Sequence, residues 1–310
     1  MGLVGDGGLT TVREPMPVLL QSPPVQLSLL AAFLYAAGAL IIKRSAELGV
    51  GVWRTAFVAN LLCALLFLPL LALGGEVHAG LWWQPMLTGA CFVAGQWLTF
   101  IAFERGDVSV ATPVLGIKIL LVAVLVTAIG GERLPPRIWA AAGLATLGIA
   151  LLNRRPAAGV PHDIGRTVLT AGAAATVFAV FDVLVQLWAP RWGIGRFLPL
   201  SLGCAGLMSF ALVPRFRAPL SAIDRRAWPW LIGGALLIGV QSVIFVSTIA
   251  RWGQAATSNV VYSSRGLWTI VLVWLAGGLL ASREQAAGRL LVWRLAGAAL
   301  MMSAVALVAA

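Results

Sequence analysis

The sequence is poor in almost everything from which catalytic centres are built. It has two histidines, three cysteines and eleven acidic residues in 310 positions. His78 and His162 both fall in polar breaks between apolar runs, and the pair His162–Asp163 reads as solvated loop. Cys63, Cys91 and Cys204 are odd in number, lie inside apolar runs and show no C-x-x-C spacing, which argues against a disulfide framework or a metal site. A Walker A loop, an H-E-x-x-H helix and a G-x-S-x-G elbow are all missing. No catalytic residue, no metal and no cofactor is therefore expected. Charge is scarce as well: 11% of residues are charged against 60% hydrophobic, and the mean hydropathy is +0.94. Too little polar surface remains to cover a soluble core of this size, so the composition is that of an all-α polytopic membrane protein. The net charge of +11 comes from Lys and Arg that flank apolar runs. Membrane topology and lipid headgroups explain it better than nucleic acid does.

Ten apolar runs can be placed, near 27–42, 54–73, 83–103, 108–130, 136–152, 168–188, 196–213, 229–249, 255–280 and 290–309. Each is long enough, or nearly so, to span a bilayer as a helix. Residues 1–25 read as a mobile tail turned by Pro23 and Pro24, without the basic start of a signal peptide. Residues 153–167, NRRPAAGVPHDIGRT, carry proline, glycine and charge and read as a linker. The chain thus divides into 26–152 and 168–310, with five spans each.

The two parts read as repeats. Sliding Gly106–Gly131 onto Gly253–Gly278 matches 8 of 26 positions and superposes Lys118 on Arg265. These are the two basic residues deep inside spans. Five spans is an odd number, so the second part enters the membrane in the opposite sense, as in inverted-repeat transporters. Lys118 lies 12 residues after Gly106, and Arg265 lies 12 after Gly253. At about 1.5 Å per residue each sits roughly 18 Å in, near the middle of a core about 30 Å thick. A lysine there costs about 2.5–3.5 kcal/mol on insertion scales.

Asp182 is the one acid deep in a span, and it cannot neutralise both bases. If Lys118 and Arg265 approach one another, an anion is needed between them. They are then the candidate substrate-binding pair, Lys118 as a point charge and Arg265 as a planar fork. The bland reading is a structural charge network with Asp182. That acid is either a fixed counter-ion or a titrating group that couples transport to protons. Helical spacing puts Tyr262 and Ser258 on the face of Arg265, with Asn259 close by. Gln96 and Gln241 match across the repeat and join the candidate binding residues, although such amides often join helices instead. Trp82, Trp83, Trp188, Trp192, Trp228 and Trp230 sit near span ends, as interfacial anchors do. Gly143, Gly148 and Gly297 read as close helix contacts.

The fourth and fifth spans, AFERGDVSVATPVLG and then GGERLPPRIWAAAGLATLGIALL, resemble the drug/metabolite transporter superfamily. The resemblance is to ten-helix proteins with two EamA-type domains. It rests on Pro113 early in the fourth span, the turn Gly131-Glu132-Arg133-Leu134, the glycine-bearing fifth span and Arg54 opening the second. The second part is looser, with Val260 in place of Pro113 and the acidic turn stretched around Glu284. The resemblance implies a central cavity lined by the first four spans of each part, and alternating access by rocking. Basic residues on the fourth and ninth helices also resemble those of the plastid triose-phosphate translocators. Ser264 stands where those proteins place a second basic residue, so a carboxylate is at least as plausible as a phosphate.

The expected function is secondary active transport of a small organic anion or zwitterion. The alternative is export of cationic or hydrophobic drugs, or amino acids, using Asp182 and aromatic residues. The expected setting is a monomer among membrane lipids in the bacterial inner membrane. Orientation has two readings. Fourteen Lys and Arg residues against six place both termini outside, whereas the resemblance implies both inside.

Overall fold

The computed structural model describes residues 22–105, 108–152, 164–275 and 289–309. The tail up to residue 21, most of the linker, the His162–Asp163 pair and the turn around Glu284 lie outside the described residues. Twelve α-helices appear among those described: α1 (Pro23–Glu47), α2 (Val52–Phe67), α3 (Trp83–Arg105), α4 (Val108–Gly116), α5 (Lys118–Ala128), α6 (Pro136–Leu152), α7 (Ile164–Trp192), α8 (Ile194–Met208), α9 (Trp228–Trp252), α10 (Ala255–Tyr262), α11 (Arg265–Leu275) and α12 (Arg289–Ala309). No strand occurs among them. Eight helical runs are long and apolar enough to cross a membrane, and Pro136–Leu152 is a shorter apolar helix. The remaining span is divided between α10 and α11. The protein is an all-α integral membrane protein.

Helix ends follow local chemistry. The first helix begins at Pro23, within the stretch read as tail, because proline at a helix start loses no hydrogen bond and has the right φ. Glycine at a positive φ opens both α2 and α8: Gly51 has φ 78° and ψ 144°, and Gly193 has φ 77° and ψ 144°. A side chain would be strained there. Both helices then tighten into a 3₁₀ segment, Leu68–Leu73 after α2 and Ser209–Arg215 after α8.

Packing runs in matched pairs. Helix α1 lies along α9 as α3 lies along α7; α2 packs on α9 as α8 packs on α3. Helices α6 and α12 pack on each other, and there a Cβ on Gly148 would strike Met301 and the carbonyl of Gly297. Small residues at that crossing let two backbones approach, as read for Gly148 and Gly297. Gly143 is a correction: a Cβ there would meet nothing within 4 Å among the described residues, so it faces open space and not a neighbouring helix. The largest buried cluster includes Phe67, Phe181, Trp192, Phe197, Phe245 and Tyr262. Trp192 is a correction to the interfacial reading: it is fully buried, and its indole N–H donates to Gln84 Oε1 at 2.8 Å.

Candidate functional site

The fourth and ninth spans are both broken, at the same register, by different means. Between α4 and α5 the turn is at Ile117, whose N–H reaches back three residues to the Val114 carbonyl. Pro113, inside α4, lacks an N–H and crowds the preceding turn. Between α10 and α11 there is no proline. Ser263 and Ser264 make the turn instead, with three-residue backbone bonds from Ser264 to Val261 and from Leu267 to Ser264. The Ser263 hydroxyl also donates to the Val260 carbonyl at 2.6 Å. Such side-chain bonds compete with the helix ladder. As a result, Lys118 and Arg265 are each the first residue of a new helical segment.

A cation at a helix N-terminus opposes the helix dipole and favours an anionic neighbour. Lys118 has one. Its Nζ lies 2.7 Å from Asp182 Oδ2, and its side chain also stands 5.8 Å from the Phe178 ring. Asp182 is 1% exposed, and its Oδ2 accepts a second bond from Asn259 Nδ2 at 2.7 Å. Asn259 donates to the Ala255 carbonyl as well, at 2.9 Å.

Arg265 is held differently. No carboxylate pairs with it among the described residues. Its guanidinium lies 4.7 Å from the centre of the Tyr35 ring and 4.7 Å from that of Tyr262, the two tyrosines of the chain. The rings are 5.9 Å apart and edge to face. These three distances put the rings at about 80° from each other as seen from the guanidinium carbon, so they form a corner and not a sandwich. Tyr262 is backed by Phe245, stacked at 4.3 Å.

The structure therefore brings Lys118, Asp182 and Asn259 into one group and seats Arg265 with Tyr262 beside it. Lys118 pairs with Asp182, not with Arg265. The Ser258 hydroxyl is buried with no partner. Gln96 stands in a separate cluster: it exchanges two amide bonds with Asn60, at 2.8 and 2.9 Å, and Asn60 also donates to Ser209. Gln241 donates to Ser242, and its Oε1 is buried without a partner. Sequence reasoning missed Phe178 beside Lys118 and named no partner for Gln186, which joins helices by bonding Glu132 and the Ala255 N–H. Phe178 and Gln186 both lie four residues from Asp182, so helical periodicity around that acid is the signal that could have found them.

Residues 23–154 match the model of the EamA-like transporter family. Somewhat less than half of this chain is thus similar to an EamA-like transporter domain. An EamA domain marks a membrane transporter of the drug/metabolite transporter superfamily, a class that is generally not enzymatic. A solved crystal structure superimposes with a TM-score of 0.72 at 17% sequence identity, over 92% of this chain and 98% of its own. At that identity it speaks for the fold alone, and the shared fold extends over both halves of the chain. No curated protein matches the sequence.

Proposed function

We propose that this protein is a secondary transporter that carries a small organic anion or zwitterion, bound at Arg265, by alternating access in a bacterial inner membrane. The observation that carries this reading is the charge balance of the interior. Asp182 is committed to Lys118 at 2.7 Å, and Arg265 has no carboxylate partner among the described residues. The pair is neutral, so the site retains one positive charge. The Tyr35–Tyr262 corner covers part of the guanidinium and leaves other directions to a ligand. A planar fork bonds carboxylate or phosphate in two places. The Ser258 hydroxyl and the Lys118 ammonium are the further donors we assign to substrate, with Tyr262 and Asn259 shaping the site. The same balance weighs against a cation carrier, since the acid such a carrier needs is already paired and capped by Asn259.

The matched helices, the two broken spans and the matched glycine turns support a second EamA-type repeat over 168–310, joined through 153–167 to the first over 26–152. The test is counterflow in proteoliposomes, with labelled organic acids, phosphate esters, amino acids and cationic dyes offered separately. Exchange of an acid or zwitterion that disappears in Arg265→Ala supports the reading. Cation exchange that persists in Arg265→Ala and stops in Asp182→Asn overturns it in favour of the cation carrier.

A further inference from the structure

We propose that Glu132 and Gln186 form the outer rung of a two-rung gate that closes one face of the transport path. The face is the one where α1 begins and α12 ends, called here the terminal face. Because successive spans alternate in direction, α5 ends there and α10 begins there.

Gln186 lies on α7 one turn beyond Asp182, nearer that face. Its Nε2 donates to Glu132 Oε1 at 2.6 Å, and its Oε1 accepts the Ala255 N–H at 2.8 Å. Glu132 is in the turn that follows α5, and Ala255 is the first residue of α10. The inner rung is Lys118–Asp182–Asn259, and it joins the same three helices. Helix α7 thus ties α5 to α10 at two successive turns, and each rung spans both halves of the chain. Around the rungs the packing is closed: seven of the eight residues of α10 are buried. The opposite face differs. The helices that match α10 and α5 across the repeat are α4 and α11; α4 packs on α6 and α7, and α11 on α1, but among the described residues α4 and α11 do not pack on each other as α10 and α5 do. None of the residues of α11 is buried.

Two matched helix pairs in unlike states are what a rocking carrier presents when one face is shut. Glu132 is exposed, so water can replace Gln186 on it when the rung parts. Asp182 is buried, and the inner rung parts only when something else satisfies Lys118. A substrate anion does that. The outer rung is then the latch and the inner rung the one that senses occupancy.

The proposal rests on the alternating-access reading, but its test needs no substrate. In the full chain, with Cys63, Cys91 and Cys204 replaced by alanine, Ser258→Cys reports access between the faces. A membrane-impermeant methanethiosulfonate is applied to one face at a time in oriented vesicles. Loss of one two-bond rung should raise labelling from the terminal face about tenfold and lower it from the other face. Gln186→Leu, which removes both bonds, should do so in full; Glu132→Ala, which removes one and leaves the Ala255 N–H on Gln186, should do so by a smaller factor; and Glu132→Gln, which keeps an acceptor oxygen, should not. Glu132 is at the surface, so its variant guards against a folding failure at Gln186. Unchanged terminal-face labelling in Glu132→Ala, or a rise from both faces together, would overturn the gate. Because no ligand is present, failure of the anion reading leaves this result untouched.

Discussion

Lys118 and Arg265 occupy one register of two matched helices and have opposite surroundings. Lys118 meets an acid, an amide and a phenylalanine. Arg265 meets two tyrosines and no carboxylate among the described residues. The first is a charge system closed on itself in this state, whose loss should show first in stability and, through the inner rung, also in transport. The second is an open one, whose loss should show in transport. If the two residues were equal halves of one anion cradle, their substitutions would have equal effects.

The largest effect expected is on the closed side. Asp182→Ala strands a partly buried ammonium, whose side chain is 20% exposed; breaking a fully buried pair costs about 3–5 kcal/mol, which is the upper end here. Thermal unfolding in detergent should show a large fall in Tm. The double variant Lys118→Met with Asp182→Leu removes both charges and should recover most of that stability. Failure to recover would mean that the pair is not self-contained and that Arg265 shares the acid.

Next comes Arg265→Ala. A charged hydrogen bond contributes about 1.5–3 kcal/mol, so counterflow should fall by roughly 10- to 150-fold, with little change in Tm. Arg265→Lys keeps the charge but loses the fork, and it should recover only part of the rate. A large fall in Tm with normal transport would reverse the comparison and make Arg265 the structural cation.

Most of this contrast could be read from the chain before folding, because a charge in the middle of an apolar run demands a partner. The spans, the matched halves and the identity of the three ionised groups were legible for that reason. Which base takes the acid was not, because Asp182 reaches Lys118 through the packing of α7 against α5, a tertiary choice that sequence spacing does not encode. The break at Ser263–Ser264 was hidden as well. Serine is common in membrane helices, whereas Pro113 announces its own kink. Gln96 shows the limit from the other side. Its match to Gln241 is real in the sequence, yet its amide is spent on Asn60. Gln96→Leu should therefore cost about 1–3 kcal/mol, the penalty for orphaning the buried Asn60 amide, and leave counterflow near normal. Loss of transport without loss of Tm in that variant would return Gln96 to the substrate path.

The smallest effect expected lies in the tyrosine corner, and it sharpens the comparison most. A cation over an aromatic face contributes about 0.5–1 kcal/mol at a wet site and up to about 2 when dry. Tyr262→Phe keeps the ring and its stack on Phe245, so Arg265 stays in place and counterflow should change less than about threefold. Tyr262→Leu removes the ring face and should cost about three- to fivefold, seen as a weaker half-saturation constant at an unchanged maximum rate. Tyr35→Leu should do the same from the other wall of the corner. The two losses should not add, because the guanidinium needs both walls to keep one orientation. If the Tyr262→Phe loss equals that of Tyr262→Leu, the hydroxyl and not the ring does the work. The corner would then be a second set of hydrogen-bond donors, and Arg265 would be less alone than its surroundings suggest.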